Sequence, residues 1–236
     1  MVDHGHSPQE ISDRIGAPPG RGVLRDVVYG AIDGSVTTFA IVAGVAGAGL
    51  SPFIIVALGL ANVLADGFSM AAGNYSGTKA ELDNLKRLRR VEESHIQNYP
   101  EGERAEAREI LRLKGLSGPV LDAATDAICA DKEAWINLMM EGEYGASPVD
   151  PDPMRAALAT FAAFLVAGMV PLLPFLFGLA SAFSISVWLT LITFFGIGAM
   201  KSHWALSPWW RSGLETLAIG GAAALLAYGV GSLFQA

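Results

Sequence analysis

The sequence predicts an all-α, polytopic membrane protein with five transmembrane helices and one helical domain inserted between helices 2 and 3. Three observations carry that prediction. Hydrophobic residues make up 52% of the 236 positions and mean hydropathy is +0.40, too apolar for an ordinary soluble protein of this length. Five stretches, about 27–49, 53–76, 155–179, 182–200 and 213–234, are long and apolar enough to span a bilayer. Most of the charge sits in one polar block, 77–153.

Taken in order, residues 1–26 are polar, with Pro8, Pro18 and Pro19, and lack an apolar core before a cleavage site. They predict a disordered cytoplasmic tail rather than a signal peptide, with His4 and His6 as no more than weak metal contacts. Residues 27–76 hold helices 1 and 2. The first carries small residues at Ala40, Gly44 and Ala48 and again at Ala43 and Gly47, the spacing that lets helix backbones approach closely. That face suits either a second copy of the chain or another span of the same chain.

The block 77–153 reads as short helices. Leu82, Leu85, Leu88 and Val91 recur at threes, an amphipathic helix that continues the second span until Pro100 breaks it. A helix with Glu103, Glu106 and Glu109 follows, then helices at about 119–130 and 132–144, and the Pro-rich segment 148–153 returns the chain to the membrane. Residues 154–236 hold helices 3–5. Pro171 and Pro174 should kink helix 3 and free backbone carbonyls. Ser212 and Glu215 have capping-box spacing at the start of helix 5. Trp204, Trp209 and Trp210 beside His203 and Arg211 fit an interfacial aromatic belt.

All 16 Lys and Arg residues fall in the first tail, in 77–155 or between helices 4 and 5. Basic residues in short loops stay cytoplasmic, so the N-terminus and the inserted domain are expected inside and the C-terminus outside. The net charge of −7, concentrated in that domain, argues against nucleic acid and favours cations as partners. The lone Cys129 excludes an intrachain disulfide and reads as an apolar packing residue.

Asp33 and Asp66 lie inside the first two spans, where a central Asp is disfavoured by about 2.5–3.5 kcal/mol and usually marks an ion or proton pathway. At about 1.5 Å per residue Asp33 is about 9 Å below one face and Asp66 about 20 Å below the other. Across a core of about 30 Å the two share one layer. Asn62, Asp66, Met70 and Asn74 recur every four residues, a polar stripe that must face a cavity or the bundle interior. Carboxylate and amide oxygens with a thioether favour a transition metal over Ca²⁺ or Mg²⁺.

In the inserted domain Glu92 and His95 are one turn apart, the Glu103–Glu106–Glu109 row follows, and Met139-Met140-x-x-Glu143 lies on a later helix. Glutamates interleaved with Arg104 and Arg108 commonly form a solvated face. Their recurrence with Glu-x-x-His and Met-Met-x-x-Glu on separate short helices is what a multi-metal carboxylate site needs.

The stretches YGAIDGSVTTFAIVAG (29–44), GLANVLADGFSMAAGNYSGTKAE (59–81) and WINLMMEGEYG (135–145), with PLLP at 171–174, resemble the vacuolar iron transporter family, in a bacterial-type member. The resemblance covers nearly everything after residue 24. It implies five spans, a homodimer, and a cytoplasmic helical metal-binding domain that gathers Fe²⁺ before proton-coupled antiport out of the cytosol. Asp33 and Met70 match family pathway positions, and Glu92, Glu103, Glu106, Met139, Met140 and Glu143 match family ligand positions. Two departures stand out: Asn62 where plant members carry Glu, with Asp66 one turn away to replace it, and His95 in place of a ligand Glu.

The resulting expectation is a divalent-metal exporter for Fe²⁺, with Mn²⁺ as a second substrate, working by proton antiport, dimeric through helix 1, and using metal as substrate without an organic cofactor. Its alternatives are a membrane-anchored di-iron carboxylate enzyme, which lacks a second Glu-x-x-His, and a metal-gated channel. High Ala and Gly content and the lack of a sorting extension point to a bacterial plasma membrane rather than a vacuole.

Overall fold

The computed structural model describes residues 5–16, 22–147, 149–204 and 206–234. His4, Pro18, Pro19 and the start of the Pro-rich segment at 148, named above, lie outside them, as does the Trp204 side chain. Ten α-helices and no strand occur among the described residues. The chain forms two compact units, one of Thr78–Asp152 with the N-terminal helix, the other of Gly22–Gly77 with the chain from Pro153 onward.

Helix α1, Pro8–Gly16, corrects the expectation of an unstructured tail. Ser7 Oγ accepts from the Glu10 N–H at 3.3 Å while the Ser7 N–H donates to the Glu10 carboxylate at 3.0 Å. This reciprocal cap, with Pro8 at the first helical position, nucleates the turn locally.

Among the described residues, five helices are long and apolar enough to cross a membrane: α2 (Leu24–Gly47), α3 (Pro52–Asn98), α7 with its continuation (Pro153–Leu176), α9 (Ala182–Lys201) and α10 (Trp209–Ser232). Helix α2 is the hub of the second unit and touches α7, α9 and α10. Phe39, Val42 and Ala43 pack with Ile55 and Val63 of α3 and with Leu172. Its small residues decide those contacts. A Cβ on Gly34 would lie 2.5 Å from the Phe164 carbonyl oxygen of α7. A Cβ on Gly231 of α10 would lie 2.2 Å from the carbonyl oxygen of Gly44. The small-residue face at Ala43, Gly44 and Gly47 is thus occupied by α10 of the same chain, the second of the two alternatives left open by spacing.

The third span is broken as its prolines require. Helix α7 proper ends at Met169, a 3₁₀ turn covers Val170–Leu172, and the short α8 covers Leu173–Leu176. Pro171 has no N–H for the carbonyl of Ala167, and Ser35 Oγ donates to that oxygen instead, at 3.4 Å. Ser186 of α9 donates to the Pro171 carbonyl at 2.7 Å.

The expected cap at Ser212 is not formed. Pro208, extended at ψ 147°, starts α10 one turn earlier. Ser212 is therefore a buried interior residue, and Glu215 pairs with Lys201 at 3.6 Å. Trp209 and Trp210 are exposed, as an interfacial belt requires.

In the other unit, the 47-residue α3 runs on unbroken to Asn98. It is followed by α4 (Pro100–Leu113), α5 (Gly118–Cys129) and α6 (Lys132–Gly142). Ala107, Trp135 and Met139 form the buried core. Arg104 pairs with Asp126, and Arg108 with Asp122 at 2.9 Å, which fastens α4 to α5. Arg89 of α3 pairs with Glu133 of α6. Cys129 is half-buried against the core, and burial pushes its thiol above the usual range.

Candidate functional site

Among the described residues, one group of acidic and imidazole ligands converges. Glu92 and His95 lie a turn apart near the end of α3, Tyr99 makes the corner, and Pro100 starts α4 so that Glu103 falls in its first turn. His95 Nδ1 is 3.3 Å from Glu103 Oε1 and 3.9 Å from Glu92 Oε1. One ligand atom from each of the three lies within 4.8 Å of the others. Because Arg104 and Arg108 turn toward α5, the Glu103 face of α4 is left to meet α3.

The burial of these groups sets the corner apart from a solvated face and makes it a candidate metal site. Glu92 is 0% and Glu103 5% exposed, and an Oε2 on each has no hydrogen-bond partner. Two buried carboxylates with unsatisfied oxygens are costly by several kcal/mol per charge unless a cation joins them. Glu103 accordingly ionises late: burial first, then the charges of Glu92 and Glu106, push it to about 7 against the opposing effect of His95. Glu143 is raised too, by partial desolvation and by Glu92 and Glu106, with a hydrogen bond from Tyr144 opposing. Glu106 and Glu143 thus act on the same corner from its exposed rim.

Tyr144 was missed by the sequence reading. Its hydroxyl donates to Glu92 Oε1 at 2.8 Å, and burial and the Glu92 bond hold the phenol well above its usual range. The left-handed Gly145, φ 61°, turns the chain directly after it. Of the other expected ligands, Glu109 is exposed and bound by the Arg112 guanidinium at 2.6 and 2.7 Å, away from the cluster. Met139 belongs to the apolar core. Met140 lines a separate groove with Leu85, Lys86 and Arg89.

The membrane unit carries a second polar arrangement. Asn62, Asp66, Met70 and Asn74 are each half-buried, beside the buried row Ile55, Gly59, Val63 and Gly67 and flanked on the other side by exposed residues. The stripe faces α2. Asn62 Nδ2 donates to Thr37 Oγ1 at 3.4 Å, and Thr37 donates to the Asp33 carbonyl at 2.8 Å. Asp66 lies close enough for its charge to act on Asp33, the shared layer expected from depth alone. Asn74 has a different role from its neighbours. Its amide donates to Asp26 Oδ1 at 2.9 Å, Thr160 Oγ1 at 2.7 Å and the Ala156 carbonyl at 3.3 Å, tying α3 to α2 and α7.

A multi-span helical membrane protein with paired intramembrane carboxylates and a separate carboxylate–imidazole corner is built to handle cations. The sequence profile of the VIT family matches residues 24–232. The chain is similar to "Vacuolar iron transporter 1" of Eucalyptus grandis, 34% identical over 218 residues, 90% of this chain and 87% of that one. "Vacuolar iron transporter 1" of Arabidopsis thaliana is likewise 34% identical, covering 90% and 86%. "Vacuolar iron transporter" of Toxoplasma gondii is 35% identical over 224 residues, 90% of this chain and 74% of that one. The chain belongs to the VIT family.

Proposed function

We propose that this protein is a divalent-metal transporter that exports Fe²⁺, and Mn²⁺ as a second substrate, from the cytosol in exchange for protons. The observation that carries the reading is the polar seam between α2 and α3, where Asn62 bonds Thr37 and the charge of Asp66 reaches Asp33 inside two apolar spans. Carboxylates in that position serve ion or proton movement. The names of the relatives support transport rather than catalysis, and the chain's single Glu-x-x-His, at Glu92–His95, speaks against a di-iron enzyme.

In this reading the helical unit is cytoplasmic, as the distribution of Lys and Arg supports, and Glu92, His95 and Glu103 collect metal there with Glu106 and Glu143 at the rim. The substrate needs no organic cofactor. The membrane is a bacterial plasma membrane. The protein works as a homodimer, but not through the small residues of α2 that α10 already covers. Ala61, Ala65, Ser69 and Gly73, exposed at every fourth position of α3 beside the polar stripe, are the close-approach face assigned to it.

Proteoliposomes loaded with a metal-sensitive dye test the function. Uptake of Fe²⁺ or Co²⁺ driven by an imposed pH gradient, and lost in Asp33→Asn, is the expected result. Flux indifferent to the gradient would replace antiport with a channel, and no flux at all would end the transporter reading.

A further inference from the structure

The seam between α2 and α3 has a regular antiparallel register. Thr37 meets Asn62, Asp33 meets Asp66, and Asp26 meets Asn74. Steps of four and then seven residues back along α2 are matched by steps of four and then eight forward along α3. The polar file therefore extends beyond the two intramembrane aspartates to a third carboxylate, Asp26, in the first turn of α2. At about 1.5 Å per residue Asp26 lies about 10 Å along the helix from Asp33, and Met70, one turn from both Asn74 and Asp66, falls between the two levels.

Asp26 is half-buried and, among the described residues, accepts one hydrogen bond, from Asn74 to Oδ1. The same Asn74 amide is fixed by Thr160 and Ala156 of α7, so the carboxylate is held in one orientation by an immobile donor. A carboxylate restrained in this way, with its second oxygen uncommitted, is a hard, pre-oriented ligand for a divalent ion. The thioether of Met70 then offers a softer, weaker contact one turn further on. Alternation of strong and weak ligands lets an ion leave each site.

We propose that Asp26 is the acceptor for the divalent cation at the mouth of the α2–α3 seam, handing it past Met70 to the Asp33–Asp66 layer. This rests on the reading of that seam as the transport path. The bland alternative is that Asp26 merely accepts the Asn74 bond and complements the α2 dipole.

Two substitutions separate these roles, because they have opposite effects under each. Asp26→Asn keeps shape and an acceptor oxygen but removes the charge, whereas Asp26→Glu keeps the charge and disturbs the fit to Asn74. A cation acceptor requires Asp26→Asn to raise the half-saturating Co²⁺ concentration for transport at least tenfold, with the maximal rate within about twofold, and Asp26→Glu to stay closer to the parent. A structural tie requires the reverse order, and that result overturns the proposal. Asp33→Asn is run beside them. If it too transports normally, the reading of this seam as the transport path fails, and the role of Asp26 with it. If Asp33→Asn is inactive while Asp26→Asn is unchanged, only the role of Asp26 fails. A measurement on the unaltered protein covers the case of a variant that does not fold. Carbodiimide labelling of Asp26, read by mass spectrometry, should slow several-fold in Co²⁺, and labelling that is indifferent to Co²⁺ overturns the proposal.

Discussion

Replacing Glu103 with Gln should remove a pH dependence that the buried corner builds into both folding and metal binding. Glu103 ionises near 7 rather than 4.5 in the folded chain. Below 4.5 the carboxyl is protonated in the folded and unfolded states alike, and its burial is tolerated. As pH rises through 4.5 toward 7 the unfolded chain ionises first, so this contribution to stability is lost progressively. At 1.36 kcal/mol per pH unit the loss comes to about 3 kcal/mol, complete once pH passes the folded value. Gln has no such slope. In the metal-free protein the variant should therefore gain on the parent as pH rises from 5 to 8, by up to about 3 kcal/mol less whatever packing the amide loses. Metal binding reads the same proton with the opposite sign, since a ligand carboxyl must be deprotonated. A carboxyl half-ionised at pH 7 should release about 0.9, 0.5 and 0.1 proton per ion at pH 6, 7 and 8. Calorimetric titration of the full-length, detergent-solubilised protein with Co²⁺, in buffers of different ionisation enthalpy, measures that release. The other groups are common to both proteins, so the parent-minus-variant difference isolates Glu103. Equal proton release from parent and variant at all three pH values would refute the assignment.

Three further outcomes follow from other contacts. Asp66→Asn should lose gradient-driven transport, and Asn62→Glu with Asp66→Asn should recover part of it if the carboxylate can move one turn along the stripe; no recovery in a correctly inserted double variant, scored in proteoliposomes, counts against that exchange. Tyr144→Phe leaves Glu92 without its hydroxyl donor and should destabilise the metal-free helical unit by about 1.5–3 kcal/mol, visible as a lower midpoint in thermal unfolding. Gly231→Ala drives a methyl to within 2.2 Å of the Gly44 carbonyl oxygen and should weaken the membrane unit by about 1–3 kcal/mol, read as faster unfolding in detergent with the metal corner still able to bind Co²⁺.

Periodicity and composition made the helices legible because each span and each amphipathic face repeats within a few residues. The depth argument likewise placed Asp33 and Asp66 together, since helix rise converts sequence position to height. Partner choice was not encoded in this way. Spacing showed that α2 carried a close-approach face but not that α10 would fill it. Glu103 and Glu109 look alike in sequence, three residues from an arginine or next to one, yet one is buried against α3 and the other bound by Arg112. Nothing within the motif around 139–145 distinguished Tyr144, whose partner lies 52 residues earlier. The Ser212–Glu215 spacing misled for a local reason: Pro208 set the start of α10 ahead of it.

The contact between Gly44 and Gly231 also bears on how the protein is made. The most central span is among the first to leave the ribosome, and the helix that closes its glycine face is the last of the five. Chain growth at about 5–20 residues per second leaves that face uncovered for on the order of ten to forty seconds. During that interval the nascent membrane unit presents a seam open to lipid or to insertion chaperones. A chain halted before α10 would keep it open permanently, which makes the final helix a checkpoint that quality-control proteases can read.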